Sequence, residues 1–186
     1  MFQDKRGKKI VLVAHCFFNQ NSKIDECAHY PGAILEAAKA LINTEVGIIQ
    51  MPCPEMFYLG LDRQADPKVN RAVASEDTRV AKRMQEEQSK ILCKSMADSI
   101  VYQVEEYTKH GFHIVGLIGM NGSPTCGVNT NWQDGQELEG KGIFIEILEK
   151  ALKDKEIFIN MVGITARNPK YAVSAVENLC CDQPSL

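Results

Sequence analysis

A chain of 186 residues is long enough for one domain with a substantial core, and too short for two ordinary domains joined by a linker. Hydrophobic residues make up 45% and charged residues 24%, which argues against a disordered or fibrous chain. A formal net charge of -3, from 21 Lys+Arg against 24 Asp+Glu, leaves no basic field for an intact nucleic acid or an anionic membrane. The positively charged first residues run into an apolar stretch, residues 10–14, too short for a signal segment or a membrane span, so the expected location is the cytoplasm.

In chain order, residues 10–14 read as a buried strand because they are rich in Val and Ile and end at loop residues. A helical pattern over residues 32–42, with Ile34, Leu35, Ala38 and Leu41, leads to a second strand at 46–51. Residues 62–90 are strongly charged and nearly free of large apolar residues until Met84, so this segment is expected to project from the body as a solvated helix. Helical spacing continues to residue 110. As one straight helix the whole segment would run roughly 50 Å, so a break is expected near residues 75–78, where Ser75 or Asp77 would cap a helix start. A third strand follows at 113–120, a helix at 142–153, a fourth strand at 157–162 and a last helix at 168–179. Strands alternating with helices predict an α/β fold with a mostly parallel sheet of about four or five strands and helices on both faces.

Seven cysteines are the unusual count: Cys16, Cys27, Cys53, Cys93, Cys126, Cys180 and Cys181. The number is odd and no export signal is seen, so metal binding, catalysis or burial explains them better than a disulfide framework. Ligands of parallel α/β sheets bind outside the carboxyl ends of the strands. Cys16, Cys53 and Cys126 each follow a predicted strand, so all three are expected at one edge although they are far apart in sequence. Zinc prefers four ligands in a structural site and a close pair such as C-x-x-C, which is absent here, whereas three thiolates could hold a [4Fe-4S] cluster with one iron open. Cys27, in a polar loop, stands as a fourth ligand, a resolving thiol or a bystander; Cys93, Cys180 and Cys181 carry no functional expectation.

The string His15-Cys16-Phe17-Phe18-Asn19-Gln20-Asn21, then Pro52-Cys53-Pro54-Glu55 with Leu59-Gly60-Leu61-Asp62-Arg63, and Ser123-Pro124-Thr125-Cys126-Gly127 resembles the thiouracil desulfurase (TudS-like) family, and most of all its divergent desulfidase branch. The likeness runs over residues 9–160. It implies a Rossmann-like domain carrying a [4Fe-4S] cluster on Cys16, Cys53 and Cys126. It further implies removal of sulfur from a small thiolated heterocycle, giving the oxo compound and hydrogen sulfide. Two segments depart from the main branch, Lys23-Ile24-Asp25-Glu26 and Leu61-Asp62-Arg63-Gln64, and these bear on which substrate is taken.

Desulfuration by water needs an electrophile for sulfur, an activated water and a proton donor. Glu55, two residues beyond a ligand, is the expected general base or acid, and Ser123 is expected to orient water or donate a hydrogen bond. Asn19, Asn21, Asp25 and the sole tryptophan, Trp132, are the expected substrate-binding residues, with Trp132 as a stacking wall for a flat ring. His15 could tune a cluster sulfur, and Asp134 belongs to a turn. Two other readings stay open at this level. One is an iron-sulfur or zinc module that senses redox state or sulfide, or carries sulfur, without hydrolysis. The other is a hydrolase with Cys126 as nucleophile near a helix start.

Overall fold

The computed structural model describes residues 2–69 and 72–181. Its elements run β1 (Lys9–Val13), α1 (His15–Phe18), α2 (Leu35–Asn43), β2 (Gly47–Gln50), α3 (Pro54–Leu59), α4 (Val73–Met84), α5 (Glu87–Lys109), β3 (His113–Met120), β4 (Thr130–Gln133), β5 (Gln136–Glu139), α6 (Ile143–Lys153), β6 (Met161–Ile164) and α7 (Pro169–Cys181). A short 3-10 turn, Gln20–Ser22, follows α1.

Four strands form a parallel sheet in the order β2-β1-β3-β6. The central strands β1 and β3 are apolar almost throughout and covered on both faces, as parallel strands between helix layers must be. Helix α2 packs with α7, and α5 packs with α6. Right-handed crossovers require this arrangement: β1 to β2 runs one way along the sheet, while β2 to β3 and β3 to β6 run the other, so α2 and the α5–α6 pair cover opposite faces. The fold is therefore the expected three-layer, Rossmann-like α/β arrangement.

The register matters for function. Val13 pairs with Gln50 of β2 and with Ile118 of β3, so the three strands end at nearly the same level. The chain order reverses between β1 and β3, and ligands of such sheets bind in the crevice that opens at that reversal.

Three local expectations change. The fourth strand lies at Met161–Ile164, a few residues beyond its predicted start. The antiparallel hairpin β4–β5, with Asp134 and Gly135 both in the left-handed region (φ 51 and 85) as a two-residue turn demands, goes beyond the turn foreseen at Asp134. The largest correction concerns residues 62–90. Among its described residues this segment does not project: Arg63 is 1% exposed, and Val80, Met84 and Ser89 are buried. Helix α4 starts at Val73 with Ala72 as N-cap, so neither Ser75 nor Asp77 caps it, and the break falls at Gln85 and Glu86. Arg63 and Arg79 spend their charges on internal contacts, described next, while Asp62, Asp66, Lys68, Lys82 and Glu87 stay exposed.

Candidate functional site

Three loops leave the carboxyl edge of the sheet, and each carries one of the expected cysteines into the same cavity, of about 400 Å³. After β1, the Ala14 N–H donates to the Ile118 carbonyl (2.9 Å) and the chain turns into α1 with Cys16 in its first turn. Gln20 then reaches back, its Nε2 donating to the Cys16 carbonyl (2.6 Å). After β2, Cys53 is the N-cap of α3, and Pro54 at the first helical position needs no hydrogen-bond acceptor there. Glu55 falls in that same first turn.

The loop after β3 is held by its own side chains and by close backbone approach. The Ser123 Oγ accepts the N–H groups of Cys126 (3.0 Å) and Thr125 (3.3 Å). A Cβ at Gly119 would stand 2.5 Å from the Cys126 carbonyl oxygen, and one at Gly142 would stand 2.8 Å from the Cys126 nitrogen. Glycine at both positions is what lets Cys126 sit against the sheet edge. Asn121 ties the loop to β6, its Nδ2 donating to the Gly163 carbonyl (3.1 Å).

A buried polar network stands behind the thiols. Arg63 is delivered by a turn in which Arg63 and Gln64 both take left-handed conformations (φ 56 and 55) after Gly60. Its Nε donates to Glu55 Oε2 (3.3 Å), its Nη1 to the carbonyls of Gly60 (2.8 Å) and Leu61 (3.0 Å), and its Nη2 to the Ser22 carbonyl (2.6 Å) and the Cys53 Sγ (3.8 Å). The guanidinium is thus satisfied on every nitrogen, which is what a buried cation requires. Glu55 Oε1 accepts from Thr125 Oγ1 (2.7 Å), and Thr125 Oγ1 lies 3.2 Å from Ser123 Oγ. The single Thr125 hydroxyl proton goes to the nearer carboxylate, so Ser123 donates to Thr125. The three form a hydrogen-bonded line from Ser123 through Thr125 to Glu55.

Helix α4 covers the cavity, held at two points. Arg79 Nη2 donates to the Arg63 carbonyl (2.8 Å), and Trp132 Nε1 donates to Thr78 Oγ1 (3.0 Å). Asp77, the residue just before these two anchors, lines the cavity. Burial, and then the Glu55 carboxylate, push its carboxyl up to about 6, opposed by Lys23 and Arg167.

Burial pushes the thiols up as well, Cys16 to about 11 and Cys53 to about 12, with Cys126 well above its ordinary value. After burial, the largest cause at Cys126 is the charge of Cys53 and then of Cys16, which line the same cavity. Among the described residues no three His, Cys, Asp or Glu side chains converge as a single metal ion would need. The donor set is three soft sulfurs around a space, one of them accepting an N–H from a buried cation. Three soft sulfurs are donors of the kind that thiolate-bound metals and clusters take.

Cys16, Cys53, Cys126, Glu55, Ser123 and Trp132 all line the cavity. Asn19, Asn21 and Asp25 are not among its walls. Asn19 faces His15 (3.4 Å) and accepts from Asn21 (3.0 Å), while Asp25 accepts from the Glu26 N–H (3.0 Å) on the exposed side of the loop. That loop instead turns Lys23, Ile24, Cys27 and His29 inward. Cys126 lies in a loop that meets the start of α6 in space, where the Ile143 and Phe144 N–H groups donate to the carbonyls of Pro124 (3.0 Å) and Thr125 (3.1 Å). The helix start is therefore present beside Cys126, while burial raises this thiol, the direction that disfavours a nucleophile.

The uncharacterized protein MJ0003 of Methanocaldococcus jannaschii is 30% identical to this chain over 166 residues, which cover 89% of this chain and 92% of that protein. The chain belongs to the family of that archaeal protein. No family model matches it, and no solved structure matches it. No helix among the described residues is long and apolar enough to cross a membrane.

Proposed function

We propose that this chain is a TudS-like desulfidase that hydrolyses the carbon–sulfur double bond of a small thiolated heterocycle or similar thiocarbonyl compound, at a [4Fe-4S] cluster held by Cys16, Cys53 and Cys126. The observation that carries the reading is the meeting of these three thiols, from three separate loops, in one cavity with the Ser123–Thr125–Glu55 line. Seven unpaired thiols suit the reducing cytoplasm.

When bound, the cluster would supply an open iron as a Lewis acid for a soft sulfur atom. The chain supplies the rest. Glu55, oriented by Arg63 and Thr125, accepts a proton from the attacking water. Ser123 holds its hydroxyl toward the same line and fixes the Cys126 loop through two N–H groups. Trp132, which lines the cavity and is pinned through its N–H, is the aromatic wall on which a planar ring would stack.

The test is anaerobic reconstitution followed by iron, acid-labile sulfide and sulfide-release assays on thiolated pyrimidines and small thioamides. Iron with equal labile sulfide, and sulfide release, are expected. Glu55→Gln should keep the iron and lose about 100-fold or more in turnover. Stoichiometric zinc without labile sulfide, or a fully loaded protein that releases no sulfide from any compound, overturns the reading.

A further inference from the structure

Helix α4 turns a stripe toward the protein interior: Val73, Asp77, Val80 and Met84, at helical spacing. Three of the four are apolar, and Val80 and Met84 are buried. A carboxyl group occupies the remaining place in a row that packing alone would fill with an apolar side chain. Asp77 lines the cavity yet makes no hydrogen bond or ion pair with any described residue. Glu55 differs on this point, since Arg63 and Thr125 each occupy one of its oxygens.

Building on the desulfidase reading, we propose that Asp77 is the acid of the site, a further catalytic residue that hands its proton to the departing sulfur while Glu55 takes the proton of water. The two carboxyl groups have environments suited to these opposite tasks. Glu55 is held in place by hydrogen bonds from a cation and a hydroxyl, one to each oxygen. Asp77 receives none, and burial holds its proton up to about pH 6.

The groups that face Asp77 come from four elements. Glu55 from α3 and the neighbouring Glu76 raise it, whereas Lys23 from the loop after α1 and Arg167 from the turn before α7 lower it. Cys27 lines the same cavity, and after burial the Asp77 charge is the next cause that raises its thiol.

The step balances with water alone. Water oxygen bonds the thiocarbonyl carbon, and one water proton passes to Glu55. Asp77 protonates the sulfur. The C–S bond then breaks with its electron pair on sulfur while the new hydroxyl loses its proton to Asp77, forming the C=O bond. Glu55 returns its proton to the hydrosulfide, so one carbonyl compound and one hydrogen sulfide leave and both carboxyl groups are restored.

The experiment compares the reconstituted wild-type protein with Asp77→Asn and, as a second variant, Asp77→Ser, measuring iron content, sulfide release from pH 4.5 to 8, and carboxyl infrared absorption against pH. The expected result is unchanged iron, a fall in kcat of about 100-fold at pH 5.5, and loss of the decline in rate that the wild type shows as pH rises through about 6. A protonated-carboxyl band that disappears near pH 6 in the wild type should be missing from both variants. Unimpaired turnover with the same pH profile in the variants overturns the role of Asp77 and leaves the desulfidase reading standing. A loaded wild type that releases no sulfide overturns both. An Asp77 band that is already gone at about pH 4, the ordinary aspartate range, overturns the acid assignment whatever the rates.

Discussion

Cys93 and Cys126 are both buried residues with raised thiols, and burial is the first cause in each. Their neighbourhoods separate them. Cys93 sits inside α5 among core side chains, with the Ser89 hydroxyl as its polar partner. Cys126 sits in a loop at the end of β3, and the next causes of its shift are Cys53 and Cys16. Burial and thiol acidity therefore do not separate the cavity sulfurs from the core one. What distinguishes them is the place where the strand order reverses and the presence of other sulfurs there.

The largest effect should come from breaking that difference. Serine at Cys16, Cys53 or Cys126 should reduce iron from about four per chain to well under one, read by iron and labile-sulfide analysis of reconstituted protein. Serine at Cys93 or Cys180 should leave iron unchanged. A site variant that keeps its full iron, or a Cys93 variant that loses it, would erase the distinction.

Arg63→Met removes the cation that meets Glu55 and leaves a buried carboxylate facing an apolar side chain. A loss of about 3 kcal/mol is expected in urea unfolding, compared with under about 1 kcal/mol for truncating an exposed arginine such as Arg6.

The smallest effect runs the other way. The Asp77 carboxyl is raised in the folded state, so it contributes stability at pH below about 4 that is lost as pH rises through about 6. Asp77→Asn should therefore be more stable than the wild type at pH 8, by about 1 kcal/mol given the solvent that still screens the carboxylate. The gain should vanish below about pH 4. Equal stability of the two proteins across that range would show that the carboxyl is not held under strain.

The strands, most of the helices and the meeting of three cysteines were legible in the sequence for one physical reason. Val- and Ile-rich runs bounded by loop residues mark buried parallel strands, and the residues just after such strands share an edge. The role of residues 62–90 was not legible, because charge alone reads as solvent exposure. Arg63 is buried only because backbone carbonyls from Ser22, Gly60 and Leu61 converge on it, and carbonyls leave no trace in residue identity. Thr125 stood inside the Ser123–Cys126 string, yet its hydrogen bond to Glu55 spans 70 positions. Asp77 did leave a signal, as the charged member of an otherwise apolar stripe. Asn19, Asn21 and Asp25 misled because they alternate along one loop with the cavity-lining Ser22, Lys23, Ile24 and Cys27.

The bond between Trp132 and Thr78 gives the protein a built-in optical gauge. The chain has one tryptophan, and that indole lies on the cavity wall while its N–H fastens the helix above. Its emission therefore comes from a single known spot, so shifts in wavelength or intensity report directly on filling of the cavity and on seating of α4, without any attached label.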